Sequence, residues 1–203
     1  MIQEFREFNE ALRDELLAMA AKDHELAARL ESEGKLFESY HPQLEMLHRG
    51  GSARLKQIIA KHGWPTPDLV GDDACEAASM VLQHSISDPA FMKTTLPLVE
   101  ASWLAGKIPG KHYATLVDGI RFFSRRPQVY GTYSDWDTHG AMTLWPVESP
   151  KNADDTVDAR RASVGLPPLA TPKPGKSAEK PPSDLAKRDR EMLDWLKARG
   201  WIR

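Results

Sequence analysis

The sequence predicts a mainly α fold, an irregular helical bundle carrying one small β-hairpin. Three observations predict it. Apolar residues near the start recur at steps of three, four and seven, the spacing of one helix face. Helix start and stop signals then punctuate the chain as far as Pro127. Beyond Pro127 the periodicity turns extended, in two short runs separated by turn-forming residues.

The first helix is expected over about residues 3–33, with Phe5, Phe8, Leu12, Leu16, Met19, Leu26 and Leu30 inward and Gly34 as its C-terminal stop. Pro42 starts a short helix that Gly50-Gly51 ends, and Ser52 caps a third helix whose inner residues are Leu55, Ile58 and Ile59. The run His62-Gly63-Trp64-Pro65 stops that helix, because proline cannot continue it. A buried helix follows over about 72–85, with acids in its first turn, where the helix dipole favours them. Asp88-Pro89 starts the next: the carboxylate accepts from free amides and proline fits the first helical position. It runs to about Ala105, with Pro97 inside. Another spans about 111–124 and buries Tyr113, Leu116, Val117, Ile120 and Phe123.

The hairpin pairs the run beginning at Gln128 with Ala141–Pro146 across an Asp135–Gly140 loop. A helix over about 154–164 ends at Gly165. The organisation is therefore a helical domain with hairpin over 1–169, a disordered, proline-rich linker over 170–183, and a C-terminal amphipathic helix over 184–203. That last helix, with Leu185, Met192, Trp195 and Leu196 on one side, is expected to contact its own core or a partner.

Composition excludes several function classes. A net charge of −2 argues against binding nucleic acid through the overall field. Charge is uneven, however: residues 1–33 carry nine acids and four bases, residues 171–203 nine bases and five acids. No apolar run approaches the roughly 18 residues that span a bilayer, so no membrane association is expected. Cys75 is the one cysteine, which precludes an internal disulfide and a thiolate cluster. The acidic, amphipathic N-terminus is unlike a secretory signal, and the expected location is cytoplasmic.

Two polar signatures stand out, Gln83-His84 with Asp88-Pro89-x-Phe91, and Asp118 with Gln128-x-Tyr130-Gly131-Thr132. The helices between them are expected to fold both into one pocket. His84 is the candidate acid–base group, since imidazole titrates near neutrality; the alternative is a buried histidine donating to a carbonyl of the turn after it. Asp118 either orients His84 or pairs with Arg121 along its helix. Gln128 and Tyr130 would share one face of a strand as substrate contacts, with Gln83 and Arg121 as further binding candidates. The competing reading has Tyr130 in the core and Gln128 at a helix end. His41, His48, His62, His112 and His139 show no His-Glu-x-x-His spacing, so neither a metal site nor a cofactor is predicted. Nor is a Cys–His pairing expected at Cys75. Arg160-Arg161 reads as a solvated face.

These residues, with His62-Gly63-Trp64-Pro65-Thr66 and Arg160-Arg161-x-x-Val164-Gly165-Leu166-Pro167-Pro168, resemble a family of uncharacterised bacterial proteins, a domain of unknown function, over roughly residues 50–169. The chain departs from that pattern at Ile86, Gly119 and Tyr133, where the family tends to carry an acid, an arginine and a glutamine. The resemblance implies a site location and no particular reaction. Two functions follow from the sequence. One is a small hydrolase or group-transfer enzyme with His84 as acid or base and Asp118 as its orienter. The other is a non-catalytic module, of partner-binding or immunity type, that holds a protein or small-molecule ligand.

Overall fold

The computed structural model describes residues 7–169 and 180–203. Its element order is α1 (Glu10–Ser32), α2 (Pro42–His62), α3 (Pro67–Val70), α4 (Asp72–Gln83), α5 (Pro89–Leu104), α6 (Gly110–Phe123), β1 (Ser134–Trp136), β2 (Met142–Leu144), α7 (Val157–Ser163) and α8 (Leu185–Arg199). The fold is mainly α with one small antiparallel hairpin, as the periodicity predicts. No helix among the described residues is long and apolar enough to cross a membrane.

Helix α4 is the central element, and α1, α2, α3 and α6 all pack on it. Its small residues Ala74, Ala77 and Ala78 let those neighbours approach, while Leu16, Leu55, Ile58, Val70 and Leu82 fill the space between. Fully burying each such large side chain contributes roughly 1.5–3 kcal/mol. Asn9 begins α1 by accepting from the Leu12 amide at 3.0 Å, so the helix starts later than the apolar spacing suggests. Phe8 is exposed before it, and Phe5 lies outside the described residues. Asp88 caps α5 through the Phe91 amide at 3.0 Å, with Pro89 in the first turn, as expected.

Three expectations need correcting. Gly50-Gly51 does not end a helix; α2 runs through both. A Cβ on Gly51 would lie 3.3 Å from Val81 and 3.7 Å from Met19, so this glycine permits close packing of α2 on α4 and α1. Ser52 then sits mid-helix, its hydroxyl donating to the His48 carbonyl one turn back (2.7 Å). Second, the hairpin exists, but its first strand is Ser134–Trp136, in register Ser134↔Leu144 and Trp136↔Met142. Gln128 makes an isolated bridge to Val147, and residues 129–133 are folded into a loop instead, with Gly131 at φ +71°, a conformation that glycine alone adopts without strain. Third, Arg161 is no solvated face. It is buried, and its guanidinium donates to the carbonyls of Tyr130 (2.7 Å), Gly131 (3.2 Å) and Pro167 (2.6 Å).

Most of the expected linker, residues 170–179, lies outside the described residues. Beyond it, Asp184 caps α8 through the Lys187 amide, and the helix docks on the body of the chain. Leu196 and Trp201 are buried, the Trp201 indole donates to the Ile86 carbonyl at 2.7 Å, and Arg199 pairs with Glu45. In this C-terminal stretch Ser183 donates to Glu38, Arg188 pairs with Asp135 and Arg199 with Glu45.

Candidate functional site

Helices α1 and α2 run antiparallel, shown by the contacts Glu15–Arg54, Asp23–His48 and Arg29–Gln43 along their length. Between them opens a cleft of about 670 Å³. Its walls are largely apolar, with Ala18, Met19 and Leu26 from α1, Met46, Leu47, Gly50 and Gly51 from α2, and Val81 from α4 beneath. Polar pairs also line it, Arg54 with Glu15 and Arg29 with Gln43, and between them three titratable groups meet: Asp23, His48 and His84, one from each of α1 and α2 and the last from the C-terminal cap of α4.

Asp23 Oδ2 lies 2.9 Å from His84 Nδ1 and 2.7 Å from His48 Nε2. The His84 contact is a hydrogen bond. The His48 contact is close but poorly directed, so this nitrogen forms no hydrogen bond despite the distance. The second nitrogen of His48, Nδ1, is 2.7 Å from the Tyr40 hydroxyl. The rings of His48 and His84 sit 4.7 Å apart. Exposure grades across the cluster: the Asp23 and His48 side chains are 9 % and 8 % exposed, that of His84 40 %. Burial works to raise the Asp23 carboxyl, but the two imidazoles outweigh it and hold the group well below the usual carboxylate range. Burial pushes the Tyr40 phenol above its ordinary range, so it stays a neutral hydroxyl able to donate or accept.

The other predicted residues are arranged elsewhere. Asp118 is fully buried and receives the amides of Val129 (2.7 Å), Tyr130 (3.1 Å) and Thr132 (3.1 Å) and the Thr132 hydroxyl (2.9 Å). Gln128, also fully buried, accepts from the Thr132 and Tyr133 amides and donates to the Tyr133 and Trp145 carbonyls. Tyr130 is buried against Tyr113. Arg121 pairs with Glu148 rather than with Asp118. The structure therefore brings Asp118, Gln128 and Tyr130 together as the hub of a loop, and gives His84 a different carboxylate, Asp23. Gln83 turns away from the cleft and donates to the Ser79 hydroxyl at 3.2 Å.

Beside Asp118, a Cβ on Gly119 would lie 2.6 Å from the Tyr133 hydroxyl. The glycine at one and the ring at the other of these positions thus fit one another.

Sequence spacing also hides a Cys–His contact. Cys75 Sγ is 3.9 Å from His112 Nδ1, while His112 Nε2 bonds Glu76 at 2.9 Å. Burial pushes the thiol up to about 12 and the imidazole down, the latter partly opposed by Glu76. A neutral, buried thiol is a poor nucleophile, and the Lys111 ammonium already occupies Glu76 at 2.6 Å.

Asp23 and His48 are the candidate-site residues that sequence reasoning missed, and one signal was there to be used. Leu16, Asp23 and Leu30 stand seven apart on the inner stripe of α1, so an acid interrupts an otherwise apolar face. His48 interrupts Leu44, Ser52 and Leu55 on α2 in the same way, once that helix is read as continuous.

No curated protein and no solved structure matches the chain. A family model matches residues 10–172, from the first turn of α1 past the end of α7, and the chain therefore belongs to the family of unknown function DUF6624.

Proposed function

We propose that the protein is a small enzyme, a hydrolase or group-transfer enzyme, that activates a nucleophile at Asp23, His48 and His84. The observation that carries this reading is the Asp23–His84 contact of 2.9 Å at the floor of an apolar cleft. A buried carboxylate fixes the orientation of an imidazole that remains reachable from solvent, the relation that tunes histidine for proton transfer. The apolar walls suit a substrate with a hydrophobic portion and dry the site enough to strengthen its electrostatics. The carboxylate partner expected at Asp118 is supplied here by Asp23. A cytoplasmic, bacterial setting suits the buried free thiol of Cys75 and the family resemblance.

The test is a panel of chromogenic esters, phosphate esters and amides offered to the full chain. Turnover of at least one class is expected, reduced by at least ~100-fold in His84→Ala and Asp23→Asn. Failure of the wild type on every class, or wild-type rates in both variants, would overturn the reading. The rival reading, a non-catalytic module holding a ligand or partner, is favoured by the exposed Met46 (73 %) on the rim of the cleft. It predicts saturable binding of an apolar ligand in the cleft with no turnover.

A further inference from the structure

We propose that Asp23, His48 and His84 form a site for one divalent first-row transition-metal ion, bound by Asp23 Oδ2, His48 Nε2 and His84 Nδ1. The inference rests on the reading of this cleft as the functional site and specifies what activates the nucleophile there.

Four observations support it. The three donor atoms all lie within 4.8 Å of one another, the one group of its kind among the described residues. Two imidazoles and a carboxylate are the donor set of borderline divalent ions. At metal–ligand distances of about 2.1 Å, neighbouring ligands stand about 3 Å apart at right angles and about 3.4 Å apart in a tetrahedron, so Oδ2, 2.7 Å and 2.9 Å from the two nitrogens, needs to move outward by only a few tenths of an ångström to take an ion. Neighbours at that spacing leave coordination positions free on the cleft side, where His84 is exposed.

The third observation is His48 Nε2 itself. Its side chain is 8 % exposed, and its close partner, Asp23 Oδ2 at 2.7 Å, is out of line for a hydrogen bond. Buried polar atoms are rarely left so, and a cation between Nε2 and Oδ2 satisfies both. Fourth, the opposite nitrogen of the same ring is already engaged by the Tyr40 hydroxyl at 2.7 Å. Outer partners of that kind fix ring orientation in metal sites. A bound ion would lower the pKa of a water in its open position, releasing the proton to solvent and leaving hydroxide as the nucleophile.

The decisive experiment titrates chelator-stripped full-length protein with Zn²⁺ by calorimetry and with Co²⁺ by visible absorption. Wild type is expected to take up one ion per chain, with d–d bands from nitrogen and carboxylate ligation. His48→Ala and Asp23→Ala should weaken uptake by at least ~100-fold, more than the loss of an outer partner does. His84→Ala, at a half-exposed position that tolerates truncation, should weaken it too and guards against misfolding of the other two. His139→Ala, in the exposed hairpin loop, should leave uptake unchanged. No stoichiometric uptake by wild type, or wild-type uptake by the three cluster variants, overturns the proposal. Turnover without ion uptake would remove the metal and keep the catalytic cleft. Ion uptake without turnover on the substrate panel would keep the metal and remove the catalytic reading.

Discussion

Among the described residues two carboxylates are buried on inner helix faces, and their partners differ in kind. Asp118 on α6 is surrounded by backbone amides of Val129, Tyr130 and Thr132 and by one hydroxyl, donors that keep their protons at any ordinary pH. Asp23 on α1 faces two imidazoles, one of them half-exposed in a cleft. The first arrangement pins a loop. The second holds charge and protons where a ligand can reach them. Burial of a charged residue alone therefore does not mark a carboxylate as a candidate for function; the titratability and exposure of its partners do.

The contrast is sharpest in the response to truncation. Asp118→Ala removes the acceptor for three amides and a hydroxyl at a fully buried position. Each stranded donor costs about 1–3 kcal/mol, and loosening of the loop will recover part of that. A net loss of about 3–5 kcal/mol is expected, measured by urea unfolding monitored by circular dichroism. A loss under about 1 kcal/mol would show that the loop is held by Arg161 and Gln128 without it. Ion uptake at the Asp23 cluster should survive in whatever fraction remains folded.

Asp23→Asn should cost less, about 1–2 kcal/mol, because the amide keeps the volume and one acceptor while losing the charge-assisted contacts. Its signature is in pH. The folded-state value of Asp23 lies below the unfolded one, so its contribution is present above the ordinary carboxylate value of about 3.9. That contribution fades as pH falls through the folded value. The stability gap between wild type and Asp23→Asn should narrow as pH falls below about 3.9. A gap unchanged down to about pH 2 would mean that Asp23 contributes packing rather than charge.

The helical frame was legible in the sequence because its signals are local. Asp88-Pro89 caps α5, and the apolar stripes of α1 and α6 face the core. His84 was legible too, as a polar residue ending an apolar helix. What spacing does not carry is which carboxylate it meets. Asp23 and His48 reach it from two other helices, and Gly50-Gly51 reads locally as a stop although it serves tertiary packing against Val81 and Met19. The stretch Gln128–Tyr133 has strand-like alternation, but the Asp118 carboxylate and the Gln128 side chain take the amides that a ladder would have used. Local pattern lost to side-chain hydrogen bonds made from a distance.

The smallest expected effect probes how far the cluster extends beyond its three members. Tyr40 touches His48 Nδ1 with its hydroxyl and presents its ring edge-on to Trp195 of α8, 5.1 Å between centroids. Helix α8 lies beyond the residues that the family model matches, yet it braces the residue that orients His48. Tyr40→Phe keeps the ring and its contact with Trp195 and removes only the hydroxyl. Stability should fall by about 1 kcal/mol, the net contribution of one hydrogen bond. Zn²⁺ affinity should fall by about 10-fold, at the low end for an outer partner of a ligating histidine. If affinity stays at the wild-type level while stability drops, Tyr40 and α8 serve packing alone. Loss of affinity out of proportion to stability would make the C-terminal helix part of the site it leans against, and would tie the Asp23 region to a stretch of chain that the Asp118 hub does not need.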